Sequence, residues 1–268
     1  MSPRRPPVRG LYAITDSQPG DTHIDSGNSK DKKPGDTHLI PEGKPGDKSG
    51  DTHLNPEGWE ERKPGDTHLN PEGWEQRWDP HSVVARVAPL VGEQMGVLQY
   101  RDKSGDGAKR LAEAAALASL CRRYGVLFLI NDDVALARAV GADGVHLGRD
   151  DGSVAAARKA LGPDAVIGAS CYASLDLAGQ MCAQGADYLA FGAVYPSATK
   201  PHAVRADLDL LREARARFDL PLVAIGGITS DNAAAVVATG VDAVAVINGL
   251  FQAPDPLAAA RRIAALFH

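Results

Sequence analysis

Two carboxylates, Asp132 and Asp151, each follow a short apolar run, which puts them at the ends of neighbouring strands. The first run is Leu127-Phe128-Leu129-Ile130, and it stops in Asn131-Asp132-Asp133. The second is Gly144-Val145-His146-Leu147, and it stops in Gly148-Arg149-Asp150-Asp151. Between them Val134, Leu136, Ala137 and Val140 mark a helical stretch, so residues 127–151 read as a strand-helix-strand unit of a parallel sheet. Parallel barrels build active sites at the C-terminal ends of their strands, and two carboxylates converging there suit a hard cation such as magnesium. Asp and Asn after a strand also cap the next helix. Capping or solvent exposure is the expectation for Asp133 and Asp150; for Asp132 and Asp151, capping and metal binding both stand on these residues alone.

The other strand ends carry matching chemistry. Gln99, Arg101 and Lys103 recur at every second position, and strand side chains with that spacing share a side. One amide and two cations pointing together suit an anionic group attached to a polar ring; a surface salt-bridge patch has the same pattern. Asn131 stands beside Asp132, and another strand ends in Ser170. A later loop holds Ser197, Thr199 and Lys200, hydroxyls beside an amine, which reads as a phosphate clamp or an ordinary polar loop. Gly226-Gly227 and Ile247-Asn248-Gly249 each lead into a helix, where glycine lets backbone N–H groups approach a phosphate. Two anion sites therefore lie on one face, one cationic and metal-assisted, the other built from backbone amides.

The elements that must hold these residues alternate. Residues 10–16 read as a first strand ending in an acid. Val83, Val84, Val87 and Leu90 lie at helical spacing, residues 96–100 form a strand, and residues 108–123 form an Ala- and Leu-rich helix. After the strand-helix-strand unit come a helix at 154–161, a strand at 165–170, a helix near 175–184 and a strand at 187–191. A helix at 208–218, a strand at 221–225, a helix at 231–239, a strand at 242–247 and a closing helix complete the chain. Eight strands alternating with eight helices predict an α/β fold closed as a single (β/α)₈ TIM barrel. An open doubly wound sheet is the alternative, disfavoured because no GxGxxG follows the first strand.

One stretch does not belong to this pattern. PGDTH at Pro19, Pro34 and Pro64, with SGDTH at Ser49, repeats every fifteen residues, and PEG recurs in register at Pro41, Pro56 and Pro71. Each unit offers one Leu or Ile, and sometimes Trp59 or Trp74, among turn-forming and charged residues, too little apolar surface for a stacked solenoid. The domain expectation is a barrel of residues 1–16 and 79–268, with residues 17–78 a low-complexity, disordered insertion between the first strand and first helix. Its recurring histidines suggest metal binding, but a floppy chain makes a poorly organised site.

Composition excludes several classes. The net charge is −5 with no basic stripe, which argues against nucleic acid. No apolar run approaches a membrane span, and the basic start MSPRRPPVRG lacks the apolar core of a secretory signal. Cys121, Cys171 and Cys182 have no metal spacing and read as free thiols of a reducing, cytoplasmic compartment. Homo-oligomer formation is left open.

The stretches LYAITDS, LQYRDK, INDDVALA, GVHLGRDD, IGASC, DYLAFGAVYPSATKP, AIGGI and DAVAVI together resemble the thiamine phosphate synthase family, in order and over nearly everything except the repeat. The resemblance implies a (β/α)₈ barrel transferase that uses magnesium to join hydroxymethylpyrimidine diphosphate to hydroxyethylthiazole phosphate, releasing diphosphate. By the same resemblance, Gln99, Arg101, Lys103 and Asn131 contact the pyrimidine diphosphate, and Asp132 and Asp151 hold the magnesium. Ser170 and Lys200 contact diphosphate and its leaving group, and with Arg101 and Lys103 they form the implied catalytic set. Ser197 and Thr199 contact the thiazole phosphate, and Gly227, Ile247 and Asn248 form its cradle. Three features depart from the family pattern: Asn248 where serine is usual, Ser197 where threonine is usual, and the repeat.

Two rivals remain. A thiazole tautomerase shares the phosphate cradle but transfers a proton, and His146 near a strand end offers a base, although a packed or supporting role is the expectation there. A non-catalytic ligand-binding or scaffold protein would use the repeat for contacts. Magnesium-dependent diphosphate release separates all three.

Overall fold

The computed structural model describes residues 8–16, 82–92, 94–196 and 205–267. Eight parallel strands close on themselves in sequence order. They are β1 (Gly10–Ile14), β2 (Val97–Tyr100), β3 (Leu127–Asn131), β4 (Gly144–Leu147), β5 (Val166–Tyr172), β6 (Tyr188–Phe191), β7 (Leu222–Ile225) and β8 (Ala243–Val246). Closure is made by β1 against β8, with Tyr12 opposite Ala245. The (β/α)₈ expectation holds. The repeat, and the domain boundary drawn around it, lie outside the described residues.

Nearly every strand position is buried, because one face fills the barrel and the other meets the helices. Tyr12, Ile14, Val97, Leu127, Leu129, Tyr188, Ala190, Val223, Ala243 and Ala245 pack together inside. The larger cluster lies between strands and helices, where Leu11, Leu98, Phe128, Ile130, Ile167 and Leu189 meet helix residues such as Leu117 and Leu211. Burial of this apolar surface is the main term holding the fold.

The helices are α1 (Val83–Val87), α2 (Gly107–Tyr124), α3 (Val134–Val140), α4 (Val154–Leu161), α5 (Leu175–Ala183), α6 (Leu208–Arg217), α7 (Ala233–Val237), α8 (Asn248–Phe251) and α9 (Pro256–Ala264). Polar side chains start most of them: Ser82, Asp106, Asp133, Ser153, Ser174, Asp207 and Asp255 each accept a hydrogen bond from a first-turn N–H. Gly125 and Gly141 end α2 and α3 in the left-handed conformation.

Two features depart from the sequence reading by more than a residue or two at an end. The closing helix is two, because Pro254 cannot continue α8 and Asp255-Pro256 starts α9 afresh. β2 ends at Tyr100, as read, so Arg101 and Lys103 leave from the following loop and the strand alternation expected to align them with Gln99 does not extend to them. β5 runs past Ser170 to Tyr172 through an irregularity in its pairing with β6.

Candidate active site

The polar residues inside the barrel follow from strand register. Ile14 lies opposite Gln99, Asn131 opposite His146, His146 opposite Gly168, and Gly168 opposite Tyr188. These positions share the inward face, so an amide, an imidazole and phenols replace the usual aliphatic layer at this height. Gly168 is required by Tyr188: a Cβ there would sit 1.9 Å from the ring.

At the end of β3 the chain turns sharply. Asp132 takes φ +63, a conformation uncommon outside glycine, and its N–H donates to the His146 carbonyl at 2.9 Å. That turn aims its carboxylate away from helix capping, which Asp133 performs instead for α3 while also pairing with Arg110 at 2.8 Å. Asp132 Oδ2 receives Lys103 Nζ at 3.2 Å and Asn131 Nδ2 at 2.5 Å. Asp151, from the loop after β4, accepts from the Gly148 N–H at 2.9 Å and lies beside Asp132. Burial first, then the Asp151 carboxylate, push Asp132 up to about 6, while Lys103 works in the opposite direction.

This pair fits a divalent cation. Two carboxylates held together repel each other unless a proton or a cation intervenes, and after burial that repulsion is what raises Asp132. Among the described residues no group of three or more His, Cys, Asp or Glu forms a closed metal cage. Magnesium characteristically takes one or two carboxylates and completes its shell with water and substrate phosphate.

Arg101 is drawn inward from its loop. Its Nη1 pairs with Asp16 at 3.5 Å, and Thr15 clamps its backbone, accepting from the Arg101 N–H at 2.8 Å. Gln99 lies deeper, 2 % exposed, and donates to Asn131 Oδ1 at 2.5 Å while accepting from Tyr12 at 2.5 Å. Ser170 Oγ lies 2.8 Å from His146 Nε2, and His146 Nδ1 lies 2.8 Å from the Tyr188 hydroxyl. Both imidazole nitrogens are therefore engaged, and burial pushes His146 down to about 4, so its ring is neutral near pH 7.

Across the mouth, the loops after β7 and β8 make the second half. Gly226 and Gly227 have φ +105 and +64, and a Cβ on either would meet the β6 loop, at Ala193 or at Tyr195 and Pro196. Asn232 ties this turn, donating to the Gly227 carbonyl at 2.9 Å and accepting from the Thr229 N–H at 2.8 Å. Gly249 brings the β8 loop against it, since a Cβ there would lie 2.2 Å from the Ile228 carbonyl oxygen. Ile247 offers no side-chain cap to α8.

Gln99, Arg101, Lys103, Asn131, Asp132, Asp151 and Ser170 are thus brought to one end of the barrel, with Gly227, Ile247 and Asn248 at the same C-terminal end on β7 and β8. Ser197, Thr199 and Lys200 lie outside the described residues. Tyr12, Tyr188 and Thr15 were not singled out from sequence, and Asp16 was read only as the acid ending the first strand. For the tyrosines the available signal was a phenol at an inward position of a barrel strand, where a buried hydroxyl needs a partner.

Fold and site define a phosphate-handling (β/α)₈ barrel with a carboxylate pair and a glycine-rich turn at the C-terminal face. Comparisons with known proteins are more specific. Residues 75–250 match the family model described as thiamine monophosphate synthase. The thiamine-phosphate synthase of Thioalkalivibrio sulfidiphilus is 56% identical over 189 residues, covering 70% of this chain and 90% of that protein. The one from Chromobacterium violaceum is 60% identical, covering 70% and 91%. The structure of thiamine phosphate pyrophosphorylase from Pyrococcus furiosus superposes with TM-score 0.64 at 35% identity, covering 70% of this chain and 90% of that one. The chain belongs to the thiamine monophosphate synthase family, and its function is thiamine-phosphate synthesis, a transferase reaction.

Proposed function

We propose that the barrel joins hydroxymethylpyrimidine diphosphate to hydroxyethylthiazole phosphate, giving thiamine phosphate and diphosphate, with magnesium held by Asp132 and Asp151. The observation that carries this reading is the convergence of the two carboxylates with Lys103 at the ends of β3, β4 and the β2 loop. Gln99 and Asn131 would bind the pyrimidine end, and Arg101, Lys103, Ser170 and Lys200 the diphosphate. Ser197, Thr199, Gly227 and the backbone at Ile247 and Asn248 would bind the thiazole phosphate. Magnesium, when bound, would offset negative charge on the leaving diphosphate.

The residues themselves supply the rest. Arg101 and Lys103 stabilise the charge that develops on the leaving group, in a site where buried walls strengthen the effect. The aminopyrimidine ring is electron-rich and stabilises positive charge on its exocyclic methylene as the C–O bond breaks. The thiazole nitrogen attacks that carbon with its lone pair, so no strong general base is needed. His146, with both nitrogens engaged, has no free lone pair for the tautomerase rival. The same reading places the reaction in the cytoplasm, on small molecules, with neither nucleic acid nor membrane as partner.

The test is diphosphate release from the purified full chain, with both substrates or either alone, before and after chelation of magnesium. Release that needs both substrates and magnesium supports the proposal. Isomerisation of a thiazole phosphate without diphosphate release would replace it with the tautomerase.

A further inference from the structure

Six residues inside the barrel form an unbroken series of contacts ending on Asp132. Ser170 Oγ meets His146 Nε2 at 2.8 Å, and His146 Nδ1 meets Tyr188 at 2.8 Å. The Tyr188 and Tyr12 hydroxyls are 2.8 Å apart. Tyr12 meets Gln99 Oε1, Gln99 Nε2 meets Asn131 Oδ1, and Asn131 Nδ2 meets Asp132 Oδ2, each at 2.5 Å.

The direction of every link follows from one end. A carboxylate only accepts, so the Asn131 atom facing Asp132 must be its amide nitrogen. The Asn131 oxygen then faces Gln99, which must present its own nitrogen, leaving its oxygen toward Tyr12. Tyr12 therefore spends its single proton on Gln99, and Tyr188 must donate to Tyr12. Tyr188 then has no proton left for His146, so Nδ1 must carry a hydrogen and donate it. A neutral ring has a bare Nε2, which takes the Ser170 hydrogen. The amide and tautomer assignments rest on this counting of donors and acceptors.

We propose that this one-directional hydrogen-bond chain, running Ser170, His146, Tyr188, Tyr12, Gln99, Asn131, Asp132, makes Tyr12, Tyr188 and His146 positioning residues that fix the Gln99 amide and hold His146 as the Nδ1–H tautomer. The Gln99 amide has two orientations of nearly equal shape, with donor and acceptor exchanged. A ring bearing both a nitrogen acceptor and an amine donor is recognised by only one of them. Tyr12 and Asn131, on either side, select that orientation before the substrate arrives. Preorganisation of this kind lowers the cost of binding without touching the reacting atoms. The chain also spans six strands, β1 to β6, without passing through β7 or β8, so the glycine-rich cradle after β7 and β8 lies outside it. The proposal rests on the synthase reading for the identity of the ring, and on geometry alone for the chain.

The test has two arms on the full-length protein. Long-range ¹⁵N–¹H NMR of imidazole-labelled protein reads the His146 tautomer without substrate. The wild type should show a neutral ring protonated at Nδ1, and Tyr188→Phe, which removes the acceptor of that hydrogen, should shift the ring toward Nε2–H. The second arm is kinetic. Tyr12→Phe should raise KM for the diphosphate substrate roughly fivefold or more, the effect of one lost hydrogen bond, with KM for thiazole phosphate unchanged. An Nε2–H ring in the wild type, or equal KM changes for the two substrates in Tyr12→Phe, would overturn the proposal. A wild type that makes no thiamine phosphate would instead defeat the synthase reading, and the NMR arm would still decide the chain.

Discussion

Lys103 Nζ lies 3.2 Å from Asp132 Oδ2, so a cation assigned to diphosphate and a carboxylate assigned to metal are already joined across two strand ends. The ion pair is partly exposed, and such pairs contribute little to stability by themselves. Its consequence is positional: a phosphate entering between them would meet a lysine on one side and, on the other, the carboxylate that would hold the proposed magnesium.

Loss of either carboxylate should therefore strike function and spare the fold. Asp132→Ala and Asp151→Ala are expected to lower magnesium affinity by at least about 10–100-fold, the range seen when even a supporting partner is removed. Circular dichroism should remain that of the wild type. Isothermal titration with magnesium, paired with turnover at several magnesium concentrations, checks this. Near-normal turnover at low magnesium in either variant contradicts the metal assignment.

The pair also sets a pH dependence. Asp132 is raised to about 6 by burial and by Asp151, against Lys103. Cation binding needs the carboxylate ionised, so affinity should be nearly constant above that value and fall about tenfold per unit below it. The linkage sign for folding is opposite. An acid whose folded value is raised favours the folded state below its unfolded value, near 3.8, and that contribution is lost as pH rises through about 6. Magnesium should accordingly raise the melting temperature more at pH 7 than at pH 5. An effect that is larger at pH 5 would contradict the assignment.

A second buried acid gives a stability prediction away from the site. Glu113 of α2 accepts from Tyr100 at 2.8 Å, and burial raises it above its ordinary value, while Tyr100 and Lys109 pull it down. Its contribution is present below about 4.5 and lost as pH climbs through the raised value. Glu113→Gln removes the charge and keeps an acceptor for Tyr100. Its melting temperature relative to wild type should increase between pH 4 and 7; a gap that does not change with pH would contradict this.

The phosphate cradle is tested by adding one carbon. In Gly226→Ala the Cβ would lie 2.7 Å from Ala193 Cα at a backbone φ of +105, so the β6 and β7 loops must separate. The expected cost is about 1–3 kcal/mol of stability. Calorimetry should show weakened thiazole-phosphate binding with the diphosphate substrate unaffected; Arg101→Ala and Lys200→Ala should show the converse. If Arg101→Ala abolishes thiazole-phosphate binding and spares the diphosphate substrate, the two halves are assigned the wrong way round.

The sequence disclosed different parts of the site unequally. Asp132, Asp151, Arg101 and Lys103 were legible because carboxylates and cations at strand ends break an apolar pattern. The barrel was legible because eight short apolar runs alternate with helical stretches. Tyr12 and Tyr188 were not, since a tyrosine in an apolar run looks like core until the register shows both hydroxyls 2.8 Å apart inside the barrel. The shared orientation expected of Gln99, Arg101 and Lys103 assumed a strand reaching residue 103. β2 stops at Tyr100, because beyond it Asp102 accepts from the Ser104 N–H in a local turn that competes with sheet pairing. The split between α8 and α9 was marked by Pro254 and Pro256.

The family match begins at residue 75, after most of the fifteen-residue repeat. Deleting residues 18–77 should therefore leave kcat and both KM values within about twofold, since the family match needs almost none of them. A tenfold loss of activity would give the repeat a working role.

The most direct measurement is product analysis by mass spectrometry, with the full chain incubated with hydroxymethylpyrimidine diphosphate, hydroxyethylthiazole phosphate and magnesium. The account predicts thiamine phosphate and diphosphate formed in equal amounts, with neither formed when a substrate is omitted. Diphosphate released without the thiazole phosphate, or no thiamine phosphate at any magnesium concentration, would contradict it.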